Sequence, residues 1–433
     1  MRKNKIDIIS LGCSKNLVDS EHLIRQFQAN GYSVEHNPSR VDGEIVVVNT
    51  CGFIRDAQEE SIDMILELGR AKKEGKIKKL FVMGCLAERF MAQLTDELPE
   101  VDKFYGKFNW KEMLNDLGKS YKEDLSSERY LTTPKHYAYL KISEGCNRFC
   151  AFCAIPLITG RHKSVPMDTL LNEVKHLVSQ GVKEFNVIAQ DLSSYGLDLY
   201  GKMMLPELID QMAQIEGVEW IRLHYAYPTQ FPYDILPVMA KHDNVCKYLD
   251  IALQHSSDKV LNNMQRHITK AETIELIKRI RKEVPGIHIR TTLMVGFPGE
   301  GEEEFNDLVD FVEEMRFERM GAFAYSEEEG TFAAKHFDDI IPEDVKADRL
   351  DKIMEIQEEI SNEIQSKKVG NVYKVIIDSV DEMYYSGRTE WDSPEVDPEV
   401  LIPVENSKLE IGNFYQVEIT DATPFELFGK VVG

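Results

Sequence analysis

Cys146, Cys150 and Cys153 stand in the run EGCNRFCAFC, a C-x-x-x-C-x-x-C spacing that gathers three thiols in one loop. Three thiolates can hold three irons of a 4Fe-4S cube. Electron-transfer clusters use four cysteines, so a three-ligand cube keeps one iron open for a substrate or cofactor. A zinc site or plain buried cysteines are the competing readings. Zinc sites usually pair C-x-x-C with a second pair or with histidines, which is not the pattern here.

A second set, Cys13, Cys51 and Cys85, is spread along the chain. Each ends an apolar run: IDIISLGC, EIVVVNTC and KKLFVMGC. Short β-branched runs flanked by polar residues read as buried parallel strands. The segments between them have helical patterns. VDSEHLIRQFQANG offers Asp19 and Ser20 as caps and Gly31 at the exit. All three cysteines then fall at the carboxyl ends of strands, where open α/β sheets build their sites. Three thiols distant in sequence can converge there, again three and not four. Three unrelated core cysteines are the alternative, since free Cys is often buried. The seventh cysteine, Cys246, begins the run CKYLDIALQ and is expected in the core at the opposite rim.

Those loops need elements to carry them. A chain of 433 residues, 43% hydrophobic, should hold about two or three domains. No apolar run approaches the roughly 18 residues of a membrane span, and the N-terminus lacks the apolar stretch of a signal peptide. An odd cysteine count argues against a disulfide framework. Oxygen-sensitive clusters need a reducing compartment, so the cytoplasm is expected. The net charge of −23 repels nucleic acid unless a local basic patch offsets it.

From residue 132 to 366 strands and helices alternate. Strands are read at HYAYLKIS, EFNVIAQ, VEWIRLHY, KYLDIALQ, IHIRTTLMV and RMGAFAYS. A helix after Gly301 puts Phe305, Leu308, Val312 and Met315 on one face. Six such units predict a parallel, partly closed, TIM-like (β/α)6 arc with its site at the carboxyl rim. The triplet follows the first strand of that arc. Gln190 and Asp191 end the second strand, His224 and Tyr225 the third, Gln254 and His255 the fourth. Arg290 lies on the fifth, before the GFPGE turn at Gly296–Glu300. Arg290 suits a carboxylate by its fork geometry. Gln190, Asp191 and Gln254 are candidates for other polar contacts, or merely close strand ends. The two histidines could face substrate, but a structural role is the preferred reading.

The helix carrying Ile353, Ile356, Ile360 and Ile364 should pack on the arc and stop at Gly370. Beyond it NVYKVIIDSV, MYYSGRTE, NFYQVEIT and ELFGKVVG read as short antiparallel strands of a small five-stranded, OB-like β-barrel. The whole is an α/β multidomain chain: 1–125, 132–366 and 367–433.

The triplet resembles the signature of radical S-adenosylmethionine (SAM) enzymes, whose open iron chelates the amino and carboxylate groups of SAM. The layout resembles that of the methylthiotransferases, with a three-cysteine α/β domain, a radical SAM barrel and a terminal TRAM-type barrel. That family replaces an unactivated C–H with C–SCH3. One branch modifies tRNA adenosines. The other modifies the β-carbon of an aspartate in small-subunit ribosomal protein S-twelve. SLGCSKNLVDSE at residues 10–21, CNRFCAFCAIPLITGRHKS and IAQDLSSYG resemble the second branch. The Lys15–Asn16 pairing sets the first of these apart from the tRNA branch.

The resemblance implies two 4Fe-4S clusters, one on Cys146, Cys150 and Cys153 and one on Cys13, Cys51 and Cys85. It implies SAM, held by residues such as Arg290, Gln190, Gln254 and Asp191, and no catalytic side chain beyond the cofactors. One SAM methylates a sulfur on the N-terminal cluster and another yields the radical that takes the hydrogen. Ribosomal protein S-twelve, an electron donor such as flavodoxin or ferredoxin, and a sulfur source are the implied partners. Charge supports the branch. From Gly370 onward thirteen acids face four bases, a balance that repels phosphates and attracts a basic protein. A tRNA adenosine 2-methylthiotransferase is the alternative.

Overall fold

A computed structural model of the chain describes residues 2–406 and 408–432. The first domain is a five-stranded parallel sheet. Its strands are β1 (Arg2–Ser10), β2 (Ser33–His36), β3 (Gly43–Thr50), β4 (Lys79–Gly84) and β5 (Lys103–Phe104), in spatial order 2-1-3-4-5. The Ile/Val runs are buried on both faces. One face packs Val46, Val48, Leu80 and Val82, and the other packs Ile6, Ile8 and Val47. Helices α1 (Ser14–Ala29), α2 (Arg55–Lys73) and α3 (Cys85–Glu97) cover them. In this order the chain reverses direction across the sheet between β1 and β3, which opens a crevice at their carboxyl ends. Cys13 and Cys51 stand at that crevice.

One expectation fails here. Helix α1 starts at Ser14 with Cys13 as its cap, and Asp19 and Ser20 lie buried inside it. Their side chains serve tertiary contacts instead. Ser20 Oγ accepts from Asn49 Nδ2 at 2.9 Å, and Asp19 pairs with Lys141.

The central sheet has six parallel strands: β6 (Tyr137–Lys141), β9 (Glu184–Ile188), β10 (Trp220–Ala226), β11 (Val245–Ile251), β12 (His288–Val295) and β13 (Arg319–Ala324). They neighbour one another in chain order, so each crossover helix packs on one side and the sheet curls into an arc open between β13 and β6. The short pair β7 (Ser143–Glu144) and β8 (Lys163–Ser164) closes the base of the loop that follows β6. Helix Glu302–Met315 buries Phe305, Leu308, Val312 and Met315 as its spacing requires. Ile353, Ile356 and Ile360 of helix Glu343–Ser366 join the same core.

The terminal domain is a closed barrel of β14 (Val372–Val380), β15 (Tyr384–Arg388), β16 (Glu399–Pro403), β17 (Phe414–Ala422) and β18 (Glu426–Val431), in the order 14-15-16-18-17. The expected all-antiparallel pairing is corrected: β16 and β18 run parallel. A ring of five strands cannot alternate direction all the way round, so one pair must be parallel.

This barrel docks beneath the arc, at the amino ends of its strands. Cys246 is buried there with Trp220, Tyr248 and Ile376. Between β15 and β16 the chain enters the arc. Asp392 accepts from Arg319 at 2.5 Å, and Asp397 accepts from the Tyr248 hydroxyl at 2.9 Å. No helix among the described residues is long and apolar enough to cross a membrane.

Candidate functional site: two cysteine triads and an interdomain cavity

The triplet loop leaves β6 at the carboxyl rim. Gly145 turns it with φ +73°, and a Cβ there would lie 2.2 Å from the carbonyl oxygen of Arg161. Only glycine permits that approach. The Cys146 N–H then bonds the Gly160 carbonyl at 3.2 Å. Cations and donors surround the sulfurs. Arg148 N–H donates to Cys146 Sγ at 3.4 Å, and Arg266 Nη1 to Cys150 Sγ at 3.3 Å. The Arg148 and Arg266 guanidinium groups lie 4.3 and 4.2 Å from the Tyr227 ring centre. Burial pushes the Cys146 thiol up to about 12 and the Cys153 thiol higher still. Thiols in this setting give up their protons to a metal, which needs the thiolate form.

The other three cysteines do converge. Gly12, at φ +84°, packs so closely that a Cβ would sit 2.7 Å from Cys51 Cβ. Cys85 heads α3 and donates its thiol to Asn16 Oδ1 at 3.4 Å. Burial pushes Cys85 up to about 12, against the pull of nearby Lys107. The N-terminal set approaches the triplet loop: Cys85 packs with Ala154 and Ile158, just past Cys153. No cysteines pair as disulfides. Among the described residues, the one set of three donor groups within 4.8 Å of each other is Asp7, Glu35 and Asp42. Neither cysteine triad is drawn in to the spacing of a single ion. Three thiolate donors in each set are of the chemical type that holds an iron-sulfur cube.

A buried charge network joins the domains beside the triads. Lys141 of β6 pairs with Asp19 and Glu144, and Lys107 lies 3.2 Å from Glu144 and 3.6 Å from Asp19. Burial alone would push the Glu144 carboxyl up, but Lys141 and Lys107 hold it down at about 2.

A cavity of about 490 Å3 opens between all three domains. Its walls include the Gly12–Ser14 turn, Tyr225, Asp250 and Arg290, and its floor includes Ser393–Val396. Burial pushes the Asp250 carboxyl up to about 6. Burial and nearby Arg222 hold His224 well below its usual value, so it faces the cavity neutral.

Comparison with known proteins fixes the family. Residues 5–106 match the description "Uncharacterized protein family UPF0004", residues 140–312 "Radical SAM superfamily" and residues 369–432 "TRAM domain". The chain is 64% identical over 432 residues to the ribosomal protein uS12 methylthiotransferase RimO of Parabacteroides distasonis, covering 100% of both. It is 63% identical to the protein of that name from Bacteroides thetaiotaomicron, over 100% of this chain and 99% of the relative. The chain belongs to this methylthiotransferase family. Its membership in the radical SAM superfamily carries a 4Fe-4S cluster and SAM. A solved radical SAM methyltransferase, TsrM from Kitasatospora setae, shares the fold, with TM-score 0.55 and 13% identity over 75% of each chain.

Within this methylthiotransferase scaffold, the residues singled out from sequence take distinct places. Gln190 donates to Glu144 at 2.9 Å, and its buried Oε1 has no partner. Gln254 sits at φ +74° with its buried Oε1 also without a partner. Asp191 is occupied: it accepts from Arg148 Nε at 2.7 Å and from Ser193 N–H at 3.0 Å. Arg290 points to the cavity and lies 3.7 Å from Asp397. His224 bonds Asn186 at the cavity wall, and His255 bonds Glu300 away from the cavity lining. Sequence reasoning missed Arg148, Arg266 and Tyr227. Arg148 lies inside the triplet motif and was open to notice. Arg266 and Tyr227 have no local pattern to mark them.

Proposed function

We propose that this chain is a radical SAM methylthiotransferase that installs a methylthio group on the β-carbon of an aspartate in ribosomal protein uS12. The observation that carries the reading is the packing of Cys85 against Ala154 and Ile158, which sets the N-terminal cysteine set beside the triplet loop, with Cys13 in the wall of the interdomain cavity. The full-length similarity to proteins bearing that name supports the substrate.

In this reading Cys146, Cys150 and Cys153 hold the radical cluster, and Cys13, Cys51 and Cys85 an auxiliary 4Fe-4S cluster. When bound, the clusters and SAM supply the reducing electron, the hydrogen-abstracting radical and the methylthio group. The chain's own residues orient and enclose. The unpartnered Oε1 atoms of Gln190 and Gln254 would accept from the amino group or ribose hydroxyls of SAM. Asp191 acts at one remove, holding Arg148 against the triplet. Arg290 is the cation for a carboxylate at the cavity. The Asp19–Lys107–Lys141–Glu144 network fixes the two triads relative to each other, and the floor segment excludes water. The division at 1–125, 132–366 and 367–433 follows these roles. A small reducing protein such as flavodoxin or ferredoxin and an external sulfur source complete the system, and a ribosomal-protein substrate would keep it in the cytoplasm.

The test is intact-mass measurement of uS12, and of bulk tRNA nucleosides, from cells with and without the gene. Loss of one methylthio increment from uS12 alone is expected. Loss from tRNA alone overturns the substrate.

A further inference from the structure

Lys15 is an unusual residue for its position. It is the second residue of α1, a helix with no acidic residue in its first turn. A cation there opposes the positive end of the helix dipole. Lys15 is only 9% exposed, yet its ammonium makes no hydrogen bond or ion pair among the described residues. Its Nζ lies over the face of Tyr225, 3.5 Å from the ring centre. Tyr225 lines the cavity and is held at φ +64°, a conformation a bulky side chain rarely adopts. The Lys15 stem is enclosed while Nζ itself keeps some exposure, so its N–H donors stay open to an incoming anion. Arg290, the cation that lines that cavity, already has Asp397 beside it. The same cavity is bounded by Cys13, two residues from Lys15.

Resting on the function proposed above, we propose that Lys15 receives the side-chain carboxylate of the substrate aspartate and thereby selects an acidic residue. The carbon to be modified is bonded directly to that carboxylate. A carboxylate on Lys15 Nζ would also face the positive end of α1, satisfying both the ammonium and the helix. Tyr225 holds the ammonium by its ring face and leaves N–H donors free. A neutral amide in place of the carboxylate would lose the charge-assisted bond.

The test uses the full-length, cluster-loaded protein and two probes: purified uS12, and uS12 with the target aspartate changed to asparagine. Binding of each is titrated to the wild type, Lys15→Met and Lys15→Arg. The wild type should bind the aspartate form about tenfold or more tightly than the asparagine form. Lys15→Met should bind both alike, and Lys15→Arg should restore part of the preference. A preference that survives in Lys15→Met, or a Lys15→Met loss equal for both probes, overturns the assignment. So does a wild type that binds both probes equally well. A wild type that binds neither overturns the uS12 reading itself, and this inference with it.

Discussion

Arg388 of the terminal barrel grips Glu184 at the start of β9 with two parallel bonds, Nη1 to Oε1 at 3.0 Å and Nη2 to Oε2 at 2.7 Å. Both side chains are fully enclosed, and Arg222 reaches the same carboxylate at 3.2 Å. The pair ties the last domain into the central arc.

Changing Glu184 to Gln leaves two buried guanidinium groups short of a counter-charge. Removing one partner of such a pair costs about 3–5 kcal/mol. Urea unfolding of the variant should show a loss of that order. A loss below about 1 kcal/mol would mean the pair is not what joins the domains.

Lys368 gives a pH signature. Burial pushes its ammonium down to about 7, and its Nζ has no hydrogen-bond partner. Between pH 7 and the unfolded value near 10.5, the unfolded chain binds the extra proton, so stability should rise with pH across that window. Below pH 7 the penalty is constant and complete. Lys368→Met should therefore melt higher than the wild type at pH 7. Each pH unit of displacement is worth about 1.4 kcal/mol, so the gain should be a few kcal/mol and shrink toward pH 10. A gain independent of pH would refute the assignment.

Iron content tests the two triads. Two three-cysteine cubes imply about eight irons per chain after anaerobic reconstitution. The triple Cys146/Cys150/Cys153→Ala variant should keep about half. Wild type that never exceeds one cube, or a variant with no iron, refutes the second site.

The triads should also separate by role. Replacing Cys13, Cys51 and Cys85 by Ala should leave SAM cleavage to 5′-deoxyadenosine detectable while abolishing methylthio transfer. Methylthiolated uS12 from that variant would remove the auxiliary cluster from the reaction.

Surface charge on the terminal barrel should draw in a basic partner. Asp381, Glu382, Glu405, Glu410, Asp421 and Glu426 are exposed. Reversing several of them to Lys should weaken uS12 binding, and the difference should fade at 1 M salt as the Debye length falls from about 10 Å at 0.1 M to about 3 Å. Stronger tRNA binding without loss of uS12 binding would favour an RNA-directed surface instead.

The cysteine motifs were legible because their marks are local. A triplet motif and three strand-end cysteines can be read within a dozen residues each. The six-stranded arc followed from the same alternation. What stayed hidden depends on partners far along the chain. Asp19 looks like a helix cap until Lys141, far along the chain, takes it inward. Asp378, Asp392 and Asp397 counted as surface acids, yet each serves the interior, with Arg388, Arg319 and Tyr248. The excess of acid on the outside is therefore smaller than composition alone suggests. The parallel β16–β18 pair is a property of ring closure and leaves no mark in either strand.

The segment Ser393–Val396 has a consequence for how the protein comes into being. It is the cavity floor, yet it belongs to the last domain to emerge during synthesis. The N-terminal triad and the six-stranded arc can form earlier, but the chamber between them stays open below until the final domain docks. A chain cut short before residue 388 would carry all six cysteines of the two triads and still have no enclosed place for a radical. Completeness of the polypeptide is thus a structural precondition for a sealed chamber.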